Sequence, residues 1–164
     1  MIRILFICHG NICRSSMAEA VMRDMIENSD LAGCVTVDSA ATSTEEIGNH
    51  IYPPARAELA KHGLSNEAHR ARRMTAKDYE DHDLLIGMDD ENMLEISRIC
   101  RADELCRRGD DPSRKIRRLL DFTDDRKHQD ISDPWYTRDF TTCYADIEEG
   151  CKGLMVTLRN IIIQ

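Results

Sequence analysis

The sequence predicts an α/β fold, a three-layer sandwich in which a short four-stranded parallel sheet lies between helices on both faces. Short apolar runs alternate along the chain with helical patterns, and this alternation is typical of a parallel sheet with helical crossovers. With 164 residues, the chain has the length of one domain of common size. We therefore expect residues 1–164 to form a single domain.

The four apolar runs are each short enough for a strand, and longer segments separate them. The predicted strands cover residues 2–7, 35–38, 83–88 and 116–120. We expect right-handed crossovers between them, because parallel strands are joined in that way. Ligands of such sheets bind beyond the carboxyl ends of the strands, which points to the loop after the first strand.

Four further segments have helical patterns, and the last carries a long apolar stripe that we expect to pack on the sheet. The predicted helices cover residues 16–26, 54–62, 91–101 and 139–162. Ser16 and Glu19 have the spacing of a capping box, which predicts that the first helix begins at Ser16. Gly63 is a natural end for the second helix.

The composition disfavours several classes of protein. A net charge of −8 is unsuited to general nucleic-acid binding, and no apolar run reaches the length of about 18 residues that spans a bilayer. Seven cysteines without a Cys-x-x-Cys pair fit neither a complete disulfide framework nor a zinc site. We therefore expect reduced thiols, a cytoplasmic location, and no metal or other cofactor.

The segment ICHGNICRSSMAEA, residues 7–20, runs from the first predicted strand into the first predicted helix. Backbone N–H groups without a partner and the helix dipole favour an anion at the start of a helix. Gly10 permits a tight turn there, and the guanidinium of Arg14 presents paired donors that suit two phosphate oxygens. The sequence therefore predicts a phosphate-binding loop between the first strand and the first helix.

Cys8 lies at the start of this loop. The N–H groups, the helix terminus and Arg14 would favour the thiolate form of its side chain, which is the nucleophilic form. The alternative is a small apolar residue buried at the end of a strand, as most free cysteines are. With seven cysteines, about one Cys with an Arg six residues later is expected by chance, so the spacing alone is weak evidence. The position of the pair between a strand and a helix is what favours a nucleophile.

The motif CHGNICRSS, together with DPWY at residues 133–136, resembles the signatures of the low-molecular-weight protein tyrosine phosphatases. The resemblance extends through DSAATS at 38–43, AHRARRMTAKDY at 68–79 and LLIGMDDEN at 84–92, and thus covers nearly the whole chain. It implies a cysteine-dependent phosphoric monoester hydrolase that acts on phosphotyrosine in proteins, or on small aryl phosphates, and releases inorganic phosphate. We expect no nucleic-acid or membrane partner, and a monomer with at most weak self-association.

The resemblance also implies roles for individual residues. Cys8 would be the nucleophile, Arg14 would bind phosphate and stabilise the transition state, and Asp133 would be the general acid. Cys13 would be a redox partner that forms a disulfide with an oxidised Cys8. The implied phosphate-binding segment is His9, Gly10, Asn11, Ile12, Cys13, Arg14 and Ser15. The implied bracing residues are Asn11, Ser15, Ser39 and His69, and the implied pocket wall is Ile12, Glu45, Trp135 and Tyr136.

Three positions depart from the pattern of that family. Ser16 stands in place of a proline, Ala41 in place of a glycine, and Glu45 about where an aromatic residue flanks the pocket. We expect Ser16 to cap the helix, so the loop is preserved. Glu45 removes a stacking surface and its carboxylate would repel a dianionic substrate, which leaves the substrate preference open.

Three alternatives remain at this stage. A protein-arginine phosphatase of the same fold would carry Thr where this chain has Ile12, and Glu45 favours that alternative. An arsenate reductase would use two further cysteines, for which Cys100 and Cys106 are candidates, although such enzymes place the pair directly after the third strand. A phosphate-binding module without catalysis would need neither Cys8 nor an acid.

Overall fold

The computed structural model describes residues 1–100 and 114–163. Four strands form one parallel sheet in the order β2-β1-β3-β4. Their bounds are Ile2–Cys8 for β1, Val35–Ala41 for β2, Leu84–Gly87 for β3 and Ile116–Arg118 for β4. The predicted four-stranded parallel sheet is therefore confirmed.

Six α-helices and one short 3-10 helix accompany the sheet within the described residues. The α-helices are α1 (Arg14–Glu27), α2 (Pro53–Lys61), α3 (Lys77–Asp81), α4 (Asp90–Ile99), α5 (Pro134–Thr137) and α6 (Phe140–Ile162). None of them is both long enough and apolar enough to cross a membrane.

Both faces of β1 are covered, as the three-layer prediction requires. Ile4 and Phe6 point into a core formed with α1 and α6, whereas Leu5 and Ile7 point into a second core formed with α4. All four side chains have no exposed surface. A parallel strand buried on both faces is expected to be apolar at consecutive positions, which is the pattern of this segment.

The structure differs from the prediction in the bounds of two strands and in two short helices. β2 continues to Ala41, three residues beyond the predicted end, because it pairs with β1 as far as Cys8. The predicted fourth strand ends at Arg118, and Leu119–Phe122 form the 3-10 helix instead. The short helices α3 and α5 were not predicted, since segments of four or five residues are too short for helical periodicity to be visible.

The predicted capping box at Ser16 is wrong. α1 begins at Arg14 with Cys13 as its N-cap, so Ser16 lies inside the first turn and donates its hydroxyl to the carbonyl of Cys13 at 3.0 Å. Glu19 bonds with Ser39 outside its helix and with Arg23 one turn further along α1, and does not return to the N-terminus. The loop therefore passes directly into the helix, two residues earlier than predicted.

The carboxyl ends of all four strands lie at one edge of the sheet, because the strands are parallel. Cys8 is paired with Ala41 at the end of β2, and Gly87 is paired with Arg118 at the end of β4. The loop between β1 and α1 therefore lies at the edge where ligands of such sheets bind.

Candidate active site

A cavity of about 290 Å³ opens at the carboxyl edge of the sheet. It brings together Cys8, Arg14 and Asp133, which the sequence places far apart. Its lining comprises Cys8, His9, Gly10, Ile12, Cys13, Arg14, Glu45, Glu46, Asp133, Trp135 and Tyr136. Of the predicted site residues, Asn11, Ser15, Ser39 and His69 lie behind this lining.

Cys8 is buried at the end of β1, with 3% of its surface exposed. Its sulfur accepts the backbone N–H of Asn11 at 3.3 Å and lies 3.1 Å from the hydroxyl oxygen of Ser15. Both contacts suit a thiolate, because donors directed at the sulfur stabilise its negative charge.

Asn11 holds the loop in shape. Its backbone is left-handed, with φ near 60, a conformation that Asn tolerates better than most residues. Its side-chain amide donates to the hydroxyls of Ser15 at 2.8 Å and Ser39 at 2.9 Å. Its carbonyl accepts from Nε2 of His69 at 2.6 Å, and its side-chain oxygen accepts the backbone N–H of Arg72 at 3.1 Å. The four predicted bracing residues are thus in one network.

Glu19 is also part of this network, a role that was not predicted from the sequence. The carboxylate accepts the hydroxyl of Ser39, pairs with Arg23 and lies 3.6 Å from Nδ1 of His69. Burial raises the pKa of Glu19, but the hydrogen bonds from His69, Ser39 and Arg23 outweigh burial and lower the pKa to about 2. A carboxylate on the buried face of α1 was the available signal, and it was mistaken for part of a helix cap.

Arg14 is almost fully buried, with 2% of its surface exposed. Its Nη1 donates to Oδ2 of Asp89 at 2.6 Å and to the carbonyl of Ile131 at 2.9 Å. Its Nη2 lies 3.3 Å from Oδ2 of Asp133. Burial lowers the pKa of Arg14, but the charges of Cys8, Asp89 and Asp133 outweigh burial and raise it. The guanidinium therefore stays cationic and has a fixed orientation.

Asp89 was also missed as a site residue. It is the N-cap of α4, where its Oδ1 accepts the backbone N–H of Asn92 at 2.8 Å while Oδ2 accepts from Arg14. The available signal was an acidic residue directly after a buried strand, at the edge of the sheet where ligands bind.

Asp133 occupies the N-cap of α5. Its Oδ1 accepts the backbone N–H of Trp135 at 3.0 Å, and its Oδ2 points toward Arg14. The side chain is 24% exposed and lines the cavity.

The mouth of the cavity has unlike walls. Trp135 and Tyr136 form an exposed aromatic wall, 46% and 82% accessible. The acidic wall contains Glu45, whose Oε2 lies 3.1 Å from Nε2 of His9, and Glu46, which the sequence analysis did not single out.

The match to a family model covers residues 3–161, and the model describes the low molecular weight phosphotyrosine protein phosphatases. The chain belongs to this family. The predicted family, fold class and enzyme class are therefore confirmed. Membership in this phosphatase family implies phosphorylated substrates and phosphate as a product.

Individual relatives agree over nearly the whole chain. The low molecular weight protein-tyrosine-phosphatase YfkJ of Bacillus subtilis is 35% identical over 160 residues, which are 98% of this chain and 97% of the relative. The crystal structure of YfkJ matches with a TM-score of 0.90 at 33% identity, covering 99% of this chain and 97% of that chain. The crystal structure of DARP, the Drosophila arginine phosphatase, matches with a TM-score of 0.84 at 27% identity, covering 96% and 98%.

The other cysteines of this phosphatase differ in their distance from the cavity. Cys13 lines it and is buried, and burial together with the charges of Cys8 and Asp133 raises the pKa of its thiol. Cys100 is the C-cap of α4, whereas Asp89, which contacts Arg14, is the N-cap, so the ten-residue helix separates these two residues by about 15 Å. Cys106 lies outside the described residues.

Across residues 1–100 and 114–163, no group of three or more His, Cys, Asp or Glu side chains is arranged to hold a metal ion. The charges that face the cavity are carried by Arg14 and by the carboxylates of its lining.

Proposed function

We propose that this phosphatase hydrolyses phosphotyrosine in proteins through a covalent phosphate ester of Cys8. The observation that carries the proposal is the shared cavity of about 290 Å³, which is lined by the sulfur of Cys8, the guanidinium of Arg14 and the carboxyl group of Asp133. A nucleophile, a phosphate ligand and a proton donor are the groups that this reaction requires.

In the first step, the thiolate of Cys8 attacks phosphorus and the bond from phosphorus to the phenolic oxygen breaks. Arg14 and the N–H groups of residues 9–15 bind the three equatorial oxygens, on which the transition state carries its charge. Asp133 gives its proton to the departing phenolic oxygen, so that the tyrosine leaves as a neutral phenol.

In the second step, water attacks the phosphorus of the cysteinyl phosphate. Asp133, now a carboxylate, removes a proton from that water, and inorganic phosphate forms as the bond from sulfur to phosphorus breaks. The hydroxyl of Ser15, 3.1 Å from the sulfur, stabilises the departing thiolate of Cys8.

The aromatic wall favours tyrosine phosphate over arginine phosphate. Trp135 and Tyr136 offer ring surfaces to the phenyl group, and the side chain of Ile12 adds an apolar floor. Arginine phosphate is the second candidate, because the carboxylate of Glu45 at the mouth suits the N–H groups of a phosphoguanidinium.

The decisive experiment compares the turnover of three substrates: a phosphotyrosine peptide, a phosphoarginine peptide, and arsenate, which is supplied together with thioredoxin as reductant. The wild type, Cys8→Ser and Asp133→Ala are assayed with each. We expect turnover of the phosphotyrosine peptide, none by Cys8→Ser, and a loss of about 100-fold or more by Asp133→Ala. Full activity of Cys8→Ser would refute the mechanism, and faster turnover of phosphoarginine would establish the second candidate.

Arsenate reduction is less well supported by the structure, because Cys100 lies at the far end of α4 from the cavity. Thioredoxin-dependent turnover of arsenate that is lost in Cys100→Ser or Cys106→Ser would establish it. The alternative of a phosphate-binding module is tested by p-nitrophenyl phosphate, because a module without catalysis would leave it intact between pH 5 and pH 8.

We also propose that Cys13 protects Cys8 against irreversible oxidation. Peroxide converts the thiolate of Cys8 to a sulfenic acid, the thiol of Cys13 displaces water from it, and a disulfide forms. A thiol reductant then restores activity. Unchanged recovery in Cys13→Ser would contradict this role.

Location and assembly stay predictions of the sequence. We propose a cytoplasmic enzyme, because seven cysteines without a Cys-x-x-Cys pair predict reduced thiols. We propose a monomer with at most weak self-association, which sedimentation at several protein concentrations would test.

A further inference from the structure

The helix that carries Asp133 is very short. α5 covers four residues, Pro134–Thr137, and Asp133 is its N-cap. One helical turn has few backbone hydrogen bonds, so it does not hold its own orientation. The direction of the Asp133 carboxylate therefore depends on side chains that fix α5 from outside.

Arg138, the residue directly after α5, makes such contacts. The carbon of its guanidinium lies over three aromatic rings, 5.4 Å from the centroid of Tyr52, 6.0 Å from Trp135 and 5.6 Å from Phe140. A cation within about 6 Å of a ring centroid is attracted by the ring face. Its Nη2 also donates to the phenolic oxygen of Tyr52 at 3.0 Å.

Tyr52 connects this cluster to the phosphate-binding loop. Its backbone N–H donates to the carbonyl of Ile12 at 2.8 Å, and its ring lies 5.0 Å from that of Trp135. The backbone N–H of Trp135 in turn donates to Asp133. A continuous series of contacts therefore runs from the loop through Tyr52 and Trp135 to the carboxylate.

The backbone at Arg138 is left-handed, a conformation in which arginine is not the residue expected. Its φ is 58, in the left-handed region that glycine adopts without strain, and its N–H closes α5 on the carbonyl of Pro134 at 2.9 Å. Glycine would serve the turn better than arginine. The contacts with the rings are what arginine adds.

We propose that Arg138 is a positioning residue, which clamps Trp135 against Tyr52 and thereby directs Asp133 at the leaving oxygen. The guanidinium does not line the cavity, so it acts through α5 and not on the substrate. This inference rests on the proposed role of Asp133 as the general acid.

The test uses the dependence of rate on the leaving group. Phenyl phosphate needs a proton donor, because its phenol has a pKa of about 10, whereas p-nitrophenol is far more acidic and leaves readily without one. In Arg138→Gly we expect kcat/KM to fall by about tenfold for phenyl phosphate and by about twofold or less for p-nitrophenyl phosphate. The ratio of the two values does not depend on how much of the enzyme is folded.

Three further variants complete the experiment. His128→Gly makes the same backbone change at a second left-handed residue, with φ of 65, outside the cavity lining, and we expect no change in the ratio. Arg138→Lys keeps the charge without the planar fork, and we expect partial recovery. Asp133→Ala removes the proposed general acid itself, so it should show the largest change in the ratio of the two kcat/KM values.

The outcomes separate the two proposals. If Asp133→Ala lowers both rates equally, the assignment of the acid fails. If Asp133→Ala changes the ratio and Arg138→Gly does not, only the role of Arg138 fails. An equal change in the ratio for His128→Gly, or no recovery in Arg138→Lys, would also overturn that role.

Discussion

Oδ2 of Asp89 lies 2.6 Å from Nη1 of Arg14, and this contact ties the guanidinium of the loop to the first turn of α4. The other oxygen of the same carboxylate accepts the N–H of Asn92 and caps the helix. The side chain of Asp89 therefore stabilises a helix terminus and also orients the guanidinium of Arg14. Substitutions at Asp89 can separate the two effects.

We expect Asp89→Asn to lower kcat/KM by about ten- to a hundredfold, the effect of losing a charged hydrogen bond, with little change in melting temperature. Asparagine is as good an N-cap as aspartate, so α4 keeps its cap. Asp89→Ala should show the same kinetic loss and lose in addition about 1 kcal/mol of stability. Wild-type kinetics in Asp89→Asn would show that Arg14 is held without Asp89.

A second prediction concerns the loop conformation at Asn11. Alanine at this position loses the bonds to Ser15 and Ser39 and also bears the cost of the left-handed backbone, about 1 kcal/mol or more. Glycine loses the same hydrogen bonds but adopts the left-handed backbone without that cost. We therefore expect Asn11→Gly to keep more activity and a higher melting temperature than Asn11→Ala, and the reverse order would contradict a role for the backbone.

A third prediction concerns stability in acid. Because the folded state lowers the pKa of Glu19 from 4.5 to about 2, its contribution to stability is complete above about pH 4.5. The contribution is lost as the pH falls through about 2, where the folded protein also binds the proton. Glu19→Gln should therefore lower the free energy of unfolding by about 1–3 kcal/mol at pH 7, and the difference should shrink between pH 4.5 and pH 2.

Urea denaturation at several pH values measures this difference. Glu27→Gln, at the opposite end of α1 from the loop, removes the same charge from an exposed position and is the matched control. A difference between wild type and Glu19→Gln that is independent of pH would contradict the prediction.

A fourth prediction concerns the acidic wall. The side chain of Glu45 is 68% exposed and pairs with His9 at the cavity mouth, where its charge opposes a dianionic phosphate. We expect Glu45→Gln to raise kcat/KM for p-nitrophenyl phosphate by about two- to fivefold at low salt, and less at high salt. Glu27→Gln is again the control, and an unchanged or lower value in Glu45→Gln would show that this carboxylate does not oppose the substrate.

The fold followed from the sequence because its signals are local. The consecutive apolar residues of β1 and the stripe of α6 are each visible within a short window. The start of α1 was misplaced because the phosphate-binding loop itself forms the helix N-terminus, which leaves no separate cap for a pattern to detect. The short helices α3 and α5 were not predicted, because four or five residues are too few to show helical periodicity.

The sequence by itself determined the family, the parallel sheet and the loop that contains Cys8 and Arg14, because these depend on motifs and periodicities along the chain. Only the tertiary structure decided which partners hold those groups. Asp89, Glu19 and Arg138 each contact a residue that is distant in sequence. A charged residue is usually a solvated surface residue, and only the fold shows which partner it has.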